Sequence, residues 1–446
     1  MNRDIADISL KTKMPGPKAR ALVKRDKEVQ AKSTDVYAFV RAYDSPAAGP
    51  FCTDIDGNIL LDFTGQIGSA PLGYNNPKIL EIFKNLDISI PTKYAGTDFY
   101  AASSNNLPSP TDLKEKIIEA TAKFGFEKVF LSNSGAEAVE NAIKICYAKT
   151  QAKYGICFEG AFHGRTLGAL SLNNSKKVHT RGFPSIPYVK AIPYCTETKE
   201  ECNCGFWAYD KKQRKTVSKL EQLLNYKTGI RSPKEIAFII IEPVLGEGGY
   251  RIPSKEFMKE IKDITEAYGI PLIADEVQTG LGRTGKLWAV EHFDITPDVI
   301  TAAKPLQVGA TIGKEEMFPK EGGRIASTWG GGDIINSIIG YKSLEIIMED
   351  RLWENAKQMG DYFVKQLQGF GKKYACVTEA RGLGLMDVME FEKPEQRNKF
   401  EEECFNRGLM VLGCGYTGLR FLPPLDVRKR EIDIALNVIE DSLKAV

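Results

Sequence analysis

Residues 271–305 read PLIADEVQTGLGRTGKLWAVEHFDITPDVITAAKP. Pro271–Ala274 is a short apolar run that hands over to Asp275, and Asp298–Ala302 is a second run, two residues short of Lys304. Lys304 lies 29 residues beyond Asp275, room for a strand, a crossover and the next parallel strand. In one parallel sheet both side chains then emerge at the same edge. An acid and an amine so placed suit a cofactor that needs one at each of two atoms.

Outward from there the text keeps the same rhythm. From Leu113 on, apolar runs at Lys128–Leu131, Tyr154–Phe158 and Ala237–Ile241 alternate with helix-like segments, the pattern of a parallel sheet covered on both faces. Glu137–Thr150 carries Val139, Ala142, Ile143, Cys146 and Tyr147 on one stripe. Ser134, with Glu137 three residues on, reads as a capping box that starts this helix. Asp56-Gly57-Asn58 between two apolar stretches of Cys52–Phe63 predicts a hairpin. Cys195 to about Ser232 is polar and reads as an insertion. Beyond Gly322 come long helical periods, a strand-like Gly384–Phe391 and Leu409–Leu412. The expected organisation is an N-terminal arm and small-domain segment over 1–70, a large α/β domain over 71–322, and a smaller α+β domain over 323–446.

The chain has 446 residues, 43% of them hydrophobic and 26% charged, with a net charge of +2. This balance offers no nucleic-acid footprint and no attraction to an acidic membrane. The first residues, MNRDIADISLKTK, lack the apolar core of a secretory signal, and a cytoplasmic location is expected. Nine cysteines, an odd number, suit reduced thiols better than a disulfide framework. Metal binding is not expected. His163, His179 and His292 show no HExxH spacing, and Cys202-Asn203-Cys204 with Cys195 lacks a second such pair.

Three loops follow strands at the same edge. Ser134-Gly135-Ala136 opens a helix, where free N–H groups favour a phosphate, although an ordinary capped helix reads the same way. Ala161-Phe162-His163-Gly164-Arg165-Thr166 brings an aromatic that can stack, an imidazole and a guanidinium that can grip a carboxylate. Gly280–Gly285 matches GxGxxG, but five residues separate it from its strand and no helix signal follows. It also mimics a phosphate-binding loop and fails at Leu287, where a hydroxyl should stand. Asp275 and Lys304 could be a capping acid and a surface amine. A lysine ending a buried run, however, tends to have a lowered pKa and to act as a nucleophile.

Taken together, SNSGAEA (132–138), FHGRTLGALS (162–171), EPVLGEGG (242–249), DEVQTGLGRTGK (275–286), Lys304 and STWGG (327–331) resemble the class III, fold-type I aminotransferases that use pyridoxal 5′-phosphate. The resemblance runs from about Pro15 to the C-terminus and is strongest to the 4-aminobutyrate and other ω-amino-acid aminotransferases. It implies that Lys304 binds the cofactor as a Schiff base and shuttles a proton, and that Asp275 pairs with the ring nitrogen. It further implies Gln278 on the ring oxygen, Phe162 stacked on the ring with His163 beside it, and Ser134, Gly135 and Ala136 on the phosphate. Thr328 would reach the phosphate of a neighbouring subunit, which makes a homodimer, or a larger dimer-based oligomer, the active form.

For substrate, the resemblance places Arg165 on a distal carboxylate and Arg420 on an α-carboxylate, with Glu247 as the switchable partner of Arg420 and Ile67 shaping the channel. The implied reaction moves an ω-amino group, from 4-aminobutyrate or a similar donor such as ornithine or lysine, to 2-oxoglutarate, giving the semialdehyde and glutamate. Racemisation or epimerisation of an amino acid on the same cofactor is the alternative. A nucleotide-dependent oxidoreductase using Gly280–Gly285 and a non-catalytic protein of the same fold are two more distant readings. The loop after Lys304, Pro305-Leu306-Gln307-Val308-Gly309, departs from the family pattern, as does Gly332-Asp333. Pro305 is expected to hold Lys304 in extended backbone.

Overall fold

The computed structural model describes residues 5–32, 37–84, 86, 92–186, 188–211, 213–225, 229 and 231–446. Seven short strands build its central sheet. They are β1 (Lys128–Ser132), β2 (Tyr154–Phe158), β3 (Val189–Ile192), β4 (Ile236–Ile241), β5 (Leu272–Asp275), β6 (Val299–Ala302) and β7 (Gly309–Gly313). Their spatial order is β1-β7-β6-β5-β4-β2-β3. Every residue of β4 is buried, as expected of a strand covered on both faces.

Only β7 runs antiparallel to its neighbours, pairing Ala310 with Ala302 of β6 and Gly309 with Ser132 of β1. The two reversals cancel, so β1, β6 and β5 point the same way and their C-terminal ends share one edge. The helix α1 (Gly135–Thr150) covers this sheet with Val139, Ala142, Ile143 and Cys146, packed with Phe238, Ile240, Ile273 and Val299 in one buried cluster. Non-directional burial of this kind is worth roughly 1.5–3 kcal/mol for each large side chain. Ser134 caps α1 by accepting from the Glu137 amide at 3.2 Å. The expected return bond of a capping box is absent. Glu137 instead accepts from the amide and side chain of Asn133 at 2.9 and 3.0 Å.

The chain divides into two compact units. One holds Met1–Lys84, Arg283–Gly285 and Arg351–Val446, and the other holds Asn85–Gly282 and Lys286–Asp350, including the central sheet. The first is α+β. Its four-stranded antiparallel sheet contains Val377–Gly382, Asp387–Phe391, Gly418–Phe421 and Leu412–Cys414. The expected hairpin is there as Phe51–Thr53 against Ile59–Asp62, with Phe51 opposite Leu61. Immediately after it, Gly65 to Gly68 form a turn in which all four residues have positive φ, including Gln66 at 54° and Ile67 at 63°. A β-branched residue pays about 1–3 kcal/mol for that conformation. Ile67 is nonetheless 45% exposed, so packing of its side chain does not explain the strain. No helix among the described residues is long and apolar enough to cross a membrane.

Candidate active site

The shared sheet edge gathers the loops that follow β1, β2, β4, β5 and β6. After β1 the chain turns at Asn133 and enters α1 at Gly135, leaving the first amides of the helix without intrahelical partners. Gly135 has no room for a side chain. A Cβ there would stand 2.8 Å from Val277 Cγ1 and 3.4 Å from Ala303 Cβ. The helix N-terminus is thereby pressed against the two loops that carry Asp275 and Lys304.

Asp275 ends β5 and is 4% exposed. Its Oδ1 accepts from the Val277 amide and the Thr301 hydroxyl, each at 3.1 Å, while Oδ2 lies 2.7 Å from His163 Nδ1. Thr301 is the residue paired with Asp275 across the parallel ladder, which is why its hydroxyl is in reach. His163 is itself held by Asn173, whose Oδ1 accepts from the His163 amide at 2.6 Å. Its Nε2 is buried without a hydrogen-bond partner, and so is Gln278 Oε1. Glu242, which follows β4, accepts from the amides of Phe162 at 2.8 Å and Gly246 at 2.9 Å. Burial pushes its carboxyl up to about 7 against the pull of His163, with Asp275 adding to the rise. Glu242, Thr301 and Asn173 were not singled out from sequence. For Glu242 the signal was available, since it opens the EPVLGEGG segment.

Lys304 is half-buried and opens a single 3₁₀ turn, Lys304–Leu306, in which the Leu306 amide reaches Ala303 O at 2.8 Å. The expected extended backbone at Lys304 is therefore corrected. Proline supplies a helical φ at the start of a turn, where its missing N–H would have had no partner in any case. Gln307, with φ of 60°, then reverses the chain into β7, so the segment expected as a loop is a turn and the first residue of a strand.

Phe162 and Arg165 stand together on the loop after β2, with the Arg165 guanidinium carbon 5.4 Å from the Phe162 ring centroid. Arg165 is exposed. Glu247 pairs with Lys176 at 2.6 Å. Arg420 lies in the other compact unit, 4% exposed on the strand Gly418–Phe421, and Ile67 belongs to that unit as well. Thr328 is exposed beside Trp329, and Ser327 Oγ accepts from Asn133 Nδ2 at 3.3 Å. The Gly280–Gly285 motif opens no helix. Its Gly282 amide donates to Leu287 O at 3.1 Å, and Arg283 donates to the carbonyls of Leu385 and Pro423, so these residues are scaffold.

Glu276, next to Asp275, is turned the other way onto Thr279 and the Val290 amide. Burial pushes its carboxyl from 4.5 up to about 7 against the Thr279 hydroxyl and the Val290 and Ala289 amides. Between those two values the folded chain keeps a proton that the unfolded chain has released. Stability therefore falls as pH rises from 4.5 to about 7, by about 1.4 kcal/mol per pH unit from this one group, and is flat above. Glu276→Gln keeps an oxygen for the Val290 and Ala289 amides and an amino group for the Thr279 hydroxyl, and is expected to remove that slope. Urea denaturation of the variant and parent across the window measures it, and an unchanged slope would refute the assignment.

The residues present fit a flat pyridine bearing a phosphate. There is a helix N-terminus that tolerates no side chain at Gly135, an acid held buried at Asp275, and an orphaned amide oxygen at Gln278. Comparison with known proteins agrees. The family model for aminotransferase class-III matches residues 32–443. The chain is 32% identical to a probable mitochondrial 4-aminobutyrate aminotransferase of Caenorhabditis elegans, over 100% of this chain and 96% of that one. It is also 32% identical to an alanine/serine racemase of Pyrococcus horikoshii, over 97% and 92%. Among solved structures, the lysine aminotransferase of M. tuberculosis superposes with a TM-score of 0.79 at 25% identity, covering 96% of this chain and 99% of that one. With an acid, an amine and a helix N-terminus converging on one sheet edge, the chain belongs to the class-III aminotransferases and depends, as they do, on pyridoxal 5′-phosphate.

Proposed function

We propose that the enzyme moves the amino group of an ω-amine, 4-aminobutyrate or a similar donor such as ornithine or lysine, to 2-oxoglutarate. The observation that carries this reading is Arg165, an exposed cation on the face of Phe162, three residues along the loop from Phe162 and two from His163. A donor whose carboxylate lies far from its amine would find that guanidinium. The 4-aminobutyrate aminotransferase relatives support the choice of donor.

Ser134, Gly135 and Ala136 would hold the cofactor's phosphate, Phe162 its ring face, Gln278 its ring oxygen and Asp275 its protonated ring nitrogen. Bound pyridoxal phosphate supplies an electron sink for the electron pair left on the substrate carbon. Lys304 Nζ would anchor the cofactor and then, as a free amine, take the proton from the amine-bearing carbon of the substrate. His163 would hold Asp275 in place from the far side. Arg420 would serve the α-carboxylate of the oxo acid.

Two copies would be needed, with Thr328 reaching the neighbour's phosphate. Phe99, Tyr100 and Trp329 are 66%, 94% and 56% exposed, and their segments meet where the Ser327 carbonyl accepts from Thr97 at 3.1 Å; exposed aromatics of this kind suit cover by a second copy.

Arg165→Gln is expected to raise KM for 4-aminobutyrate by about 10–100-fold, the loss of a charge-assisted hydrogen bond of about 1.5–3 kcal/mol, with a smaller change for an amine that carries no carboxylate. Equal effects on both donors would remove Arg165 from substrate recognition. The reaction itself is tested by an amino-donor panel read by the visible spectrum, with chiral analysis of products. The racemase relative favours a second reading. Inversion of alanine or serine without any oxo acid, and no amino transfer from 4-aminobutyrate, would replace the proposal by racemisation.

A further inference from the structure

Cys195, Cys202 and Cys204 look unremarkable in sequence, where they lack the second pair of a zinc motif. Folding brings their sulfurs within 4.8 Å of one another. Cys195 Sγ lies 3.6 Å from Cys202 Sγ, and Cys202 Sγ lies 3.4 Å from Cys204 Sγ. A zinc ion with Zn–S bonds of about 2.3 Å needs tetrahedral S···S edges of about 3.8 Å. A disulfide needs about 2.05 Å, and all three thiols are free.

Backbone amides face two of the three sulfurs. The Trp207 amide donates to Cys202 Sγ at 3.5 Å, the Gly205 amide points to the same sulfur, and the Phe206 amide to Cys204. Backbone amides turned onto an anion are a recurring way to stabilise it without a counter-charge, and here Gly205 and Trp207 share Cys202 while Phe206, between them, faces Cys204. The loop is also fixed. Cys195 O accepts from the Ser254 amide at 3.2 Å, Glu256 accepts from the Lys199 amide at 2.7 Å, and Glu197 accepts from the Asn203 amide at 2.5 Å. Cys195 is buried just past β3, whereas Cys204 is exposed, so an ion could enter from solvent.

We propose that Cys195, Cys202 and Cys204 bind a thiophilic divalent cation, of the zinc class, through three thiolates with water in the fourth position. The ion staples the insertion, whose hairpin pairs Trp207–Asp210 with Lys215–Ser218, to the edge of the central sheet next to β3. Thiolate ligation selects zinc over magnesium or calcium, and the site lies outside the residues assigned to the cofactor.

Metal analysis of the holoenzyme, purified in zinc-supplemented medium under reducing conditions and dialysed, tests this. About one zinc per chain is expected, falling below roughly a tenth of that in Cys202→Ser/Cys204→Ser. Cobalt-substituted holoenzyme should show a thiolate-to-cobalt charge-transfer band that the double variant lacks. The single variant Cys204→Ser, at an exposed position, serves if the double variant does not fold, and should lose the band or weaken zinc retention at least about tenfold. Protein with all nine thiols reduced but without retained zinc or a cobalt band would overturn the proposal. So would zinc that persists in the variants, or a disulfide among these cysteines in reduced holoenzyme.

Discussion

Lys304→Ala is expected to lower the amino-transfer rate by about 10⁴-fold, the upper end of what a positioned acid-base group contributes, because one amine would carry out both anchoring and proton transfer. Lys304 sits at the sheet edge only two residues past β6, on a 3₁₀ turn that contains Pro305 and is followed, after Gln307 and Val308, by β7. A side chain carried on so short a turn would be pre-organised for proton transfer between fixed atoms. Removing it should leave the fold intact, since the turn is held by backbone bonds and by the buried Pro305 and Leu306. Borohydride reduction followed by mass spectrometry gives a second readout. The parent should carry the cofactor on the peptide containing Lys304, and the variant should carry none. A label that persists on another lysine, or a variant within tenfold of the parent, would take Lys304 out of the mechanism.

Asp275→Asn should lower the half-reaction with amine by about 10²–10³-fold, as expected when a fixed electrostatic partner is removed from a water-poor site. The asparagine oxygen can still accept from the Val277 amide and the Thr301 hydroxyl, and His163 can face the new amide by changing tautomer. Geometry is thus kept while the charge is lost. Weaker cofactor retention is expected as well, measured by dialysis, together with an altered visible band because the ring nitrogen would no longer be held protonated. A thermal midpoint close to the parent's would separate this electrostatic loss from unfolding. A normal half-reaction rate with normal retention would show that Asp275 only caps its loop.

Five of the seven central strands are legible as apolar runs between turn signals, a local pattern that burial on both faces imposes, whereas β3, interrupted by the exposed Lys190, carries no such run. β7 is not legible either, since GATIG offers two glycines and a threonine and acquires its place only by pairing with β6 and β1. The backbone of Lys304 departs from the expected extended form for a related reason. The rule for residues before proline is a preference, and the short link between β6 and β7 overrides it with a tight reversal. Likewise Glu137, in a sequence that reads as a capping box, is drawn to Asn133.

Local periodicity and capping chemistry were enough for five of the seven central strands, for the helix start at Ser134 and for the presence of an acid and an amine beyond two neighbouring runs. Tertiary structure alone decided which groups meet. The His163–Asp275–Thr301 contacts, the pressing of Gly135 against Val277 and Ala303, and the cluster of three cysteine sulfurs join residues far apart in the chain or turned together by a loop. Such contacts depend on strand order and register, and those are set by packing the whole sheet rather than by any stretch of sequence within it.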